Sequence, residues 1–153
     1  NWGFVPYTEA ELQKLVTDFR RLLLPEIAVV AEIHGEAAGI AVCLQNLNEL
    51  IGDFGGKLLP FGLGKLLWRL KVIGTTGARL PMLGIRRKYR GAKRYGGLST
   101  ALYVETNDRN RRAGIKIAEL SWTLEDNAPV NAGIRAMGGR VYKTYRVYSR
   151  ALG

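Results

Sequence analysis

The sequence predicts an α/β layered domain, and three observations carry the prediction. A helix with a capping box opens the chain, a hairpin of β-branched strands follows it, and from Ala78 onward strands and helices alternate. Strand–helix–strand units around one sheet make a layered α/β architecture.

Taken in order, Asn1–Tyr7 reads as extended, with Pro6 as a stop. Thr8-Glu-Ala-Glu11 matches the capping box, and Leu12, Leu15, Val16, Phe19, Leu22 and Leu23 recur at helical spacing until Pro25. This helix is expected to pack on the core. Ile27–Ile33 is a strand, His34-Gly35-Glu36 a turn, and Ala37–Leu44 the returning strand of a hairpin. Gln45–Thr76 is the least regular region. Asn46–Ile51 reads as a helical turn. Lys57–Ile73 is apolar and basic together, which fits a loop and short helix packed on the core. Its functional alternatives are an acceptor-site wall, a dimer contact or a membrane-surface patch.

Ala78–Ile85 is a third strand. It runs into Arg86-Arg-Lys-Tyr-Arg-Gly-Ala-Lys-Arg-Tyr-Gly-Gly97 and then a helix over Leu98–Arg112. A basic, glycine-containing turn between strand and helix is a place to hold phosphate. Its N–H groups converge on one spot, the helix dipole adds partial positive charge, and glycine lets an anion approach the backbone. Arg86, Arg87, Lys88, Arg90, Lys93 and Arg94 surround that spot with no acid among them. Ile115–Leu124 reads as a fourth strand. A helix follows Glu125-Asp-Asn-Ala-Pro129 and stops at Gly138-Gly139. Val141–Tyr148 alternates as a last strand with one wet face.

Composition narrows the partners. Lys+Arg 23 against Asp+Glu 13 gives +10, which favours a polyanion: nucleic acid, a phosphorylated cofactor or an anionic membrane. His34, the only histidine, sits at a turn, and Cys43, the only cysteine, sits inside a strand, so Ser-His or Cys-His catalysis has little support. No Cys/His spacing resembles a zinc site. A single cysteine fits a reducing, cytoplasmic setting, and no apolar run is long enough to span a bilayer. The length fits one domain, 1–153. A first residue other than Met is what a trimmed protein, or the C-terminal part of a longer one, would show.

From Ala78 onward the element order and residues resemble the GNAT superfamily of acyl-CoA-dependent N-acyltransferases. Arg94-Tyr-Gly-Gly97-Leu-Ser99 is similar to that family's phosphate-binding motif, Gln/Arg-x-x-Gly-x-Gly/Ala, and departs from it at Ser99. Arg90-Gly91 offers a second register. Glu119–Asn127, the following helix and Val141–Tyr148 are similar to the C-terminal segment of a bacterial branch of the superfamily. The family's first strand and helix are missing or displaced.

The resemblance implies a central mixed twisted sheet, flanked by helices, with a splay between the third and fourth strands. It implies acetyl-CoA or another acyl-CoA, bound by the backbone of Leu83 and Ile85, by Arg90, Gly91, Arg94, Tyr95, Gly96, Gly97, Leu98 and Ser99, and by Asn127 on the pantetheine arm. An amine of a small molecule or peptide would attack directly in a ternary complex. The oxyanion would be met by N–H donors on the open edge of the third strand. Glu119, preferred over Glu125, would relay the amine's proton through water. The family's acid tyrosine falls on Ile134, so Tyr145, central among Tyr142, Tyr145 and Tyr148, is the replacement. A homodimer is a further expectation. The alternative function is a non-catalytic acyl-CoA-binding or nucleic-acid-binding module on the same fold.

Overall fold

The structure is a computed structural model that describes residues 7–20, 23–91 and 93–150. The expected extended start over residues 1–6, Leu22 and the side chain of Phe19 lie outside the described residues. The chain forms two compact units, Asn1–Ser121 and Trp122–Gly153.

The first unit holds α1 (Glu9–Arg20), β1 (Ala28–Ile33), β2 (Glu36–Gln45), α2 (Asn48–Ile51), α3 (Gly62–Trp68), β3 (Gly77–Ile85), α4 (Leu98–Arg112) and β4 (Ile117–Glu119). The capping box on α1 is formed. The Thr8 N–H donates to the Glu11 carboxylate at 2.8 Å, and the Glu11 N–H donates to Thr8 Oγ1 at 3.3 Å. The expectation that this helix packs on the core is not met at Leu12 and Val16, which are exposed; Leu15 is half-buried, and the core face of the sheet is covered by α4.

The four strands lie in the order β1-β2-β3-β4. β1 and β2 pair antiparallel through the turn His34-Gly35, whose φ values of 53 and 77 are those of the left-handed region a two-residue hairpin turn requires. β2 and β3 pair antiparallel, with a register shift between Val42 and Leu44. Pro81, which has no N–H to give a ladder, falls in that shift. β3 and β4 pair parallel at Gly77–Ile117, Ala78–Ala118 and Arg79–Glu119 only. Beyond Arg79 the strands part, which is the splay expected between the third and fourth strands.

Ile27, Val29, Ala41, Cys43 and Leu80 form the sheet side of the core, and Leu102 and Tyr103 of α4 close it. Gly39 lets α4 approach. A Cβ there would stand 2.9 Å from Leu102 Cδ1 and 3.2 Å from the Gly84 carbonyl. A second cluster joins Leu50, Leu66 and Leu70 with Leu47, Ile51 and Phe54. It packs the irregular stretch into α2, α3 and a wider helical turn over Arg69–Ile73. Asp53 clasps that turn. It takes Arg69 through both oxygens at 2.6 and 2.9 Å and Lys65 at 2.7 Å.

The second unit holds α5 (Ala128–Ala136). Two expected strands need correction. The fourth is not Ile115–Leu124 but Ile117–Glu119, because the ladder ends there and Ser121 turns the chain at φ 54. Val141–Tyr148 is not a strand: its residues are exposed and, among the described residues, no strand edge of its own unit offers its backbone a ladder.

Leu102 is 1% exposed. Leu102→Ala is expected to cost roughly 2–5 kcal/mol in urea unfolding. Gly39→Ala is expected to destabilise on its own, and the double variant to cost less than the sum, because the shortened side chain vacates the space the new methyl needs.

Candidate functional site

The site begins with the free edge of β3. The Arg86 N–H donates to the Ala38 carbonyl at 2.9 Å, across the β2 ladder. Strand alternation then sends the N–H groups of Gly84 and Met82 the same way, and those of Leu83 and Ile85 to the opposite edge. That edge has lost β4. The Ile85 carbonyl, which shares it, accepts Arg90 Nε at 2.5 Å. Arg90 therefore folds back over the strand end.

The basic loop is two short 3-10 turns, Arg87–Tyr89 and Lys93–Tyr95. Tyr89 is buried and meets Tyr95 edge-on with ring centroids 5.1 Å apart, which ties one turn to the other. Gly91, at φ 72, makes the bend between them. Gly97 is the residue before α4, with no side-chain cap and no acid in the first helical turn. The first N–H groups of α4 have no intrahelical acceptor, and they carry the positive end of the helix dipole.

The loop is not free of acid, because Glu36 at the hairpin tip reaches it. Lys88 bonds the Glu36 carboxylate, and Arg86 lies 3.8 Å from it. The Lys88 ammonium beside it holds the Glu36 carboxyl below the usual carboxylate range. Arg94 stands 3.2 Å from His34 Nε2 and over the Tyr95 ring. Among the described residues Arg87 and Lys93 have no ion-pair partner. The six cations thus divide into a held set and a free pair. The observed register explains the pairing: with Gly39 opposite Ile85, the line of the ladder carries Glu36 towards Lys88.

Glu119 closes the other side of the splay. Its Oε1 accepts two nitrogens of Arg79, the residue opposite it in the parallel ladder. Cys43 is buried and its thiol is pushed up by burial, so it is packing and not a nucleophile. Among the described residues no group of His, Cys, Asp and Glu is placed to hold a metal ion.

No family model matches the sequence. The chain is 43% identical over 152 residues to a protein of Caulobacter vibrioides named bacterial ceramide synthase, covering 99% of this chain and 40% of that one. It is 39% identical to protein YghO of Escherichia coli, covering 99% and 39%. The chain therefore spans about 40% of the length of these curated relatives. Among solved structures it is similar to the aminoglycoside N-acetyltransferase AAC(6')-Iy in complex with a CoA-based bisubstrate analogue. The TM-score is 0.57 at 16% identity, over 99% of this chain and 84% of that one. It is also similar to an acetyltransferase of Trypanosoma brucei, with TM-score 0.53, 17% identity, and 95% and 82% covered. The chain has the GNAT fold.

Within the GNAT fold the expected phosphate-binding residues fall in one continuous stretch. Arg94, Tyr95, Gly96, Gly97, Leu98 and Ser99 run from the second 3-10 turn into the first turn of α4. Arg90 and Gly91 lie before that turn and serve the strand end and the bend. Leu83, Ile85 and Glu119 belong to the same unit. Asn127 and Tyr145 belong to the second unit. Asn127 precedes α5 without capping it, and Tyr145 is 69% exposed. Glu125 of that unit is paired with Arg146 at 2.8 Å, and Ile134 lies in α5.

Glu36→Gln is expected to speed amide exchange at Tyr89 and Arg90 at neutral pH. A carboxyl held below its ordinary value (about 4.3) contributes above that value and is lost as pH falls through the lowered one. The difference between variant and wild type should therefore close on acidification below the carboxylate range. A difference that is constant with pH would show that Glu36 does not latch the loop.

Proposed function

We propose that this chain is an acyl-CoA-dependent N-acyltransferase domain. The observation that carries the proposal is a set of donors left open among the described residues. It consists of the outward N–H groups of β3, the uncapped start of α4, and the free cations Arg87 and Lys93. Such a set fits a ligand with a strand-like amide arm and a pyrophosphate, which is the chemistry of coenzyme A. The space for it is open: a Cβ on Gly97 would meet nothing within 4 Å. The fold likeness to N-acetyltransferases, one in complex with CoA, supports the same reading.

Bound acyl-CoA supplies a thioester carbon at which a free amine can form an amide and release the thiol. The chain's residues have three tasks. The Leu83 and Ile85 N–H groups hold the pantetheine amides and meet charge developing on the thioester oxygen. The α4 N-terminus with Gly96 and Gly97 holds the pyrophosphate, and Arg87 and Lys93 add charge for a further phosphate. Glu119 takes a proton from the amine through water, with Arg79 paired beside it. The relative named bacterial ceramide synthase supports a long-chain amine as acceptor, because a ceramide is the amide of such an amine. A second reading, an acyl-CoA-binding module without turnover, is favoured by Ile134 in the position of the family's acid tyrosine.

Acyl-CoA is expected to raise the melting temperature, and Gly97→Glu to abolish the rise. The φ of −84 at Gly97 suits any residue, so the unliganded stability should stay within about 0.5 kcal/mol. No shift and no heat of binding at millimolar acetyl-CoA and palmitoyl-CoA would sink the proposal. Glu119→Gln is expected to lower thiol release from acyl-CoA and a long-chain amine by ~10²-fold or more, leaving the thermal shift in place. Unchanged turnover would make Glu119 only the partner of Arg79.

A further inference from the structure

The helical stretch Gly62–Ile73 is apolar on two opposite faces. Leu66 and Leu70 point inward and pack on Leu50 and Phe54. On the outer side Phe61 (84% exposed), Trp68 (57%) and Val72 (65%) recur two turns and then one turn apart, so they share a face. Lys65 and Lys71 flank this stripe, and Lys57 precedes it, next to Leu58, whose carbonyl accepts the Leu63 N–H at 2.8 Å. From Lys57 to Ile73 there is no acidic residue. A second apolar face on a helix is normally covered, and here Phe61, Trp68 and Val72 are exposed.

We propose that this face docks on a membrane surface containing anionic lipid. Composition decides the occupant. The core of a protein–protein interface is depleted in lysine, whereas an aromatic and aliphatic stripe edged with lysine suits the boundary between headgroups and acyl chains. Lys57 and Lys71, which Asp53 does not hold, supply attraction to anionic headgroups, which matches the +10 charge of the chain. The Asp53 clasp on Lys65 and Arg69 fixes the helix on the unit, so the stripe is presented as a rigid face. Among the described residues no helix is long and apolar enough to cross a membrane, so the contact lies on the surface. The inference goes beyond the proposed acyl transfer and stands without it.

The test is co-sedimentation of this chain with vesicles, with no acyl-CoA present. Vesicles of phosphatidylcholine with phosphatidylglycerol are expected to retain the protein, and phosphatidylcholine alone to retain at least ~10-fold less, with retention falling as salt rises. Phe61→Ser with Trp68→Ser, and separately Lys57→Ser with Lys71→Ser, should each weaken retention by ~10-fold or more. Both pairs are exposed, and circular dichroism should confirm that they fold. Failure of the wild type to bind would overturn the proposal, as would full binding by either pair. Sedimentation equilibrium reads the other occupant: if the Phe61/Trp68 pair turns a dimer into a monomer, the face joins two copies of the chain and the membrane proposal falls.

Discussion

One strand, β3, sets the constraint on which the first unit depends. One of its edges is paired with β2 from Gly39–Ile85 down to Gln45–Ala78, while the other is paired only where β4 touches Gly77–Arg79. A buried strand with half an edge missing would be costly, since unpaired N–H groups need partners. Here the chain partly fills the gap with Arg90 on the Ile85 carbonyl, and leaves the donors of Leu83 and Ile85 to the open side. The other end of β3 is tied down. Glu49 accepts the Thr76 N–H at 2.8 Å, and Asn46 donates to the Gly77 carbonyl at 2.9 Å. The strand is thus anchored at its start and open along one edge at its finish.

The same economy shapes the loop. Six cations close together repel one another, and a loop carrying them all unpaired would have no fixed conformation. Glu36 and His34, both from the hairpin, take Lys88 and Arg94, and the Tyr89–Tyr95 contact sets the spacing of the two turns. Rigidity is bought with surface pairs that are individually weak. What remains unpaired, Arg87 and Lys93, stands on a loop whose shape is already decided. A nucleic-acid surface would need the cations presented outward along a face, and the hairpin pairing works against that.

Features governed by local rules were legible in the sequence. The capping box of α1, the His34-Gly35 turn, the strand ending at Ile85 and the helix over Leu98–Arg112 all depend on neighbours within a few positions. Features set by distant partners were not. The acid that serves the loop lies 52 residues from Lys88. The partner of Glu119 is not named by the sequence, and only the parallel register brings Arg79 opposite it. The alternation in Val141–Tyr148 fits a strand, but alternation records which sides differ and does not supply an edge to pair with. For α1, periodicity gives a helix and the cap confirms it, yet neither says whether the apolar face finds a core.

The two basic regions of the first unit also differ in a way that charge counting cannot reveal. In the loop, the cations surround backbone donors and glycines, so a small, multiply charged ligand gains from both. In the stretch from Lys57 to Ile73, the cations surround Phe61, Trp68 and Val72, and the local backbone N–H groups are spent inside a helix. Such a face has charge and apolar area but few free donors, and it suits an extended surface and not a phosphate in a cradle. The backbone, more than the charge, therefore separates the two regions. The Thr75–Gly77 connection lies between them in the chain, leading from the helical stretch into the anchored end of β3, and the loop leaves from the other end. A contact made at the stretch and a ligand held at the loop would thus share one rigid strand.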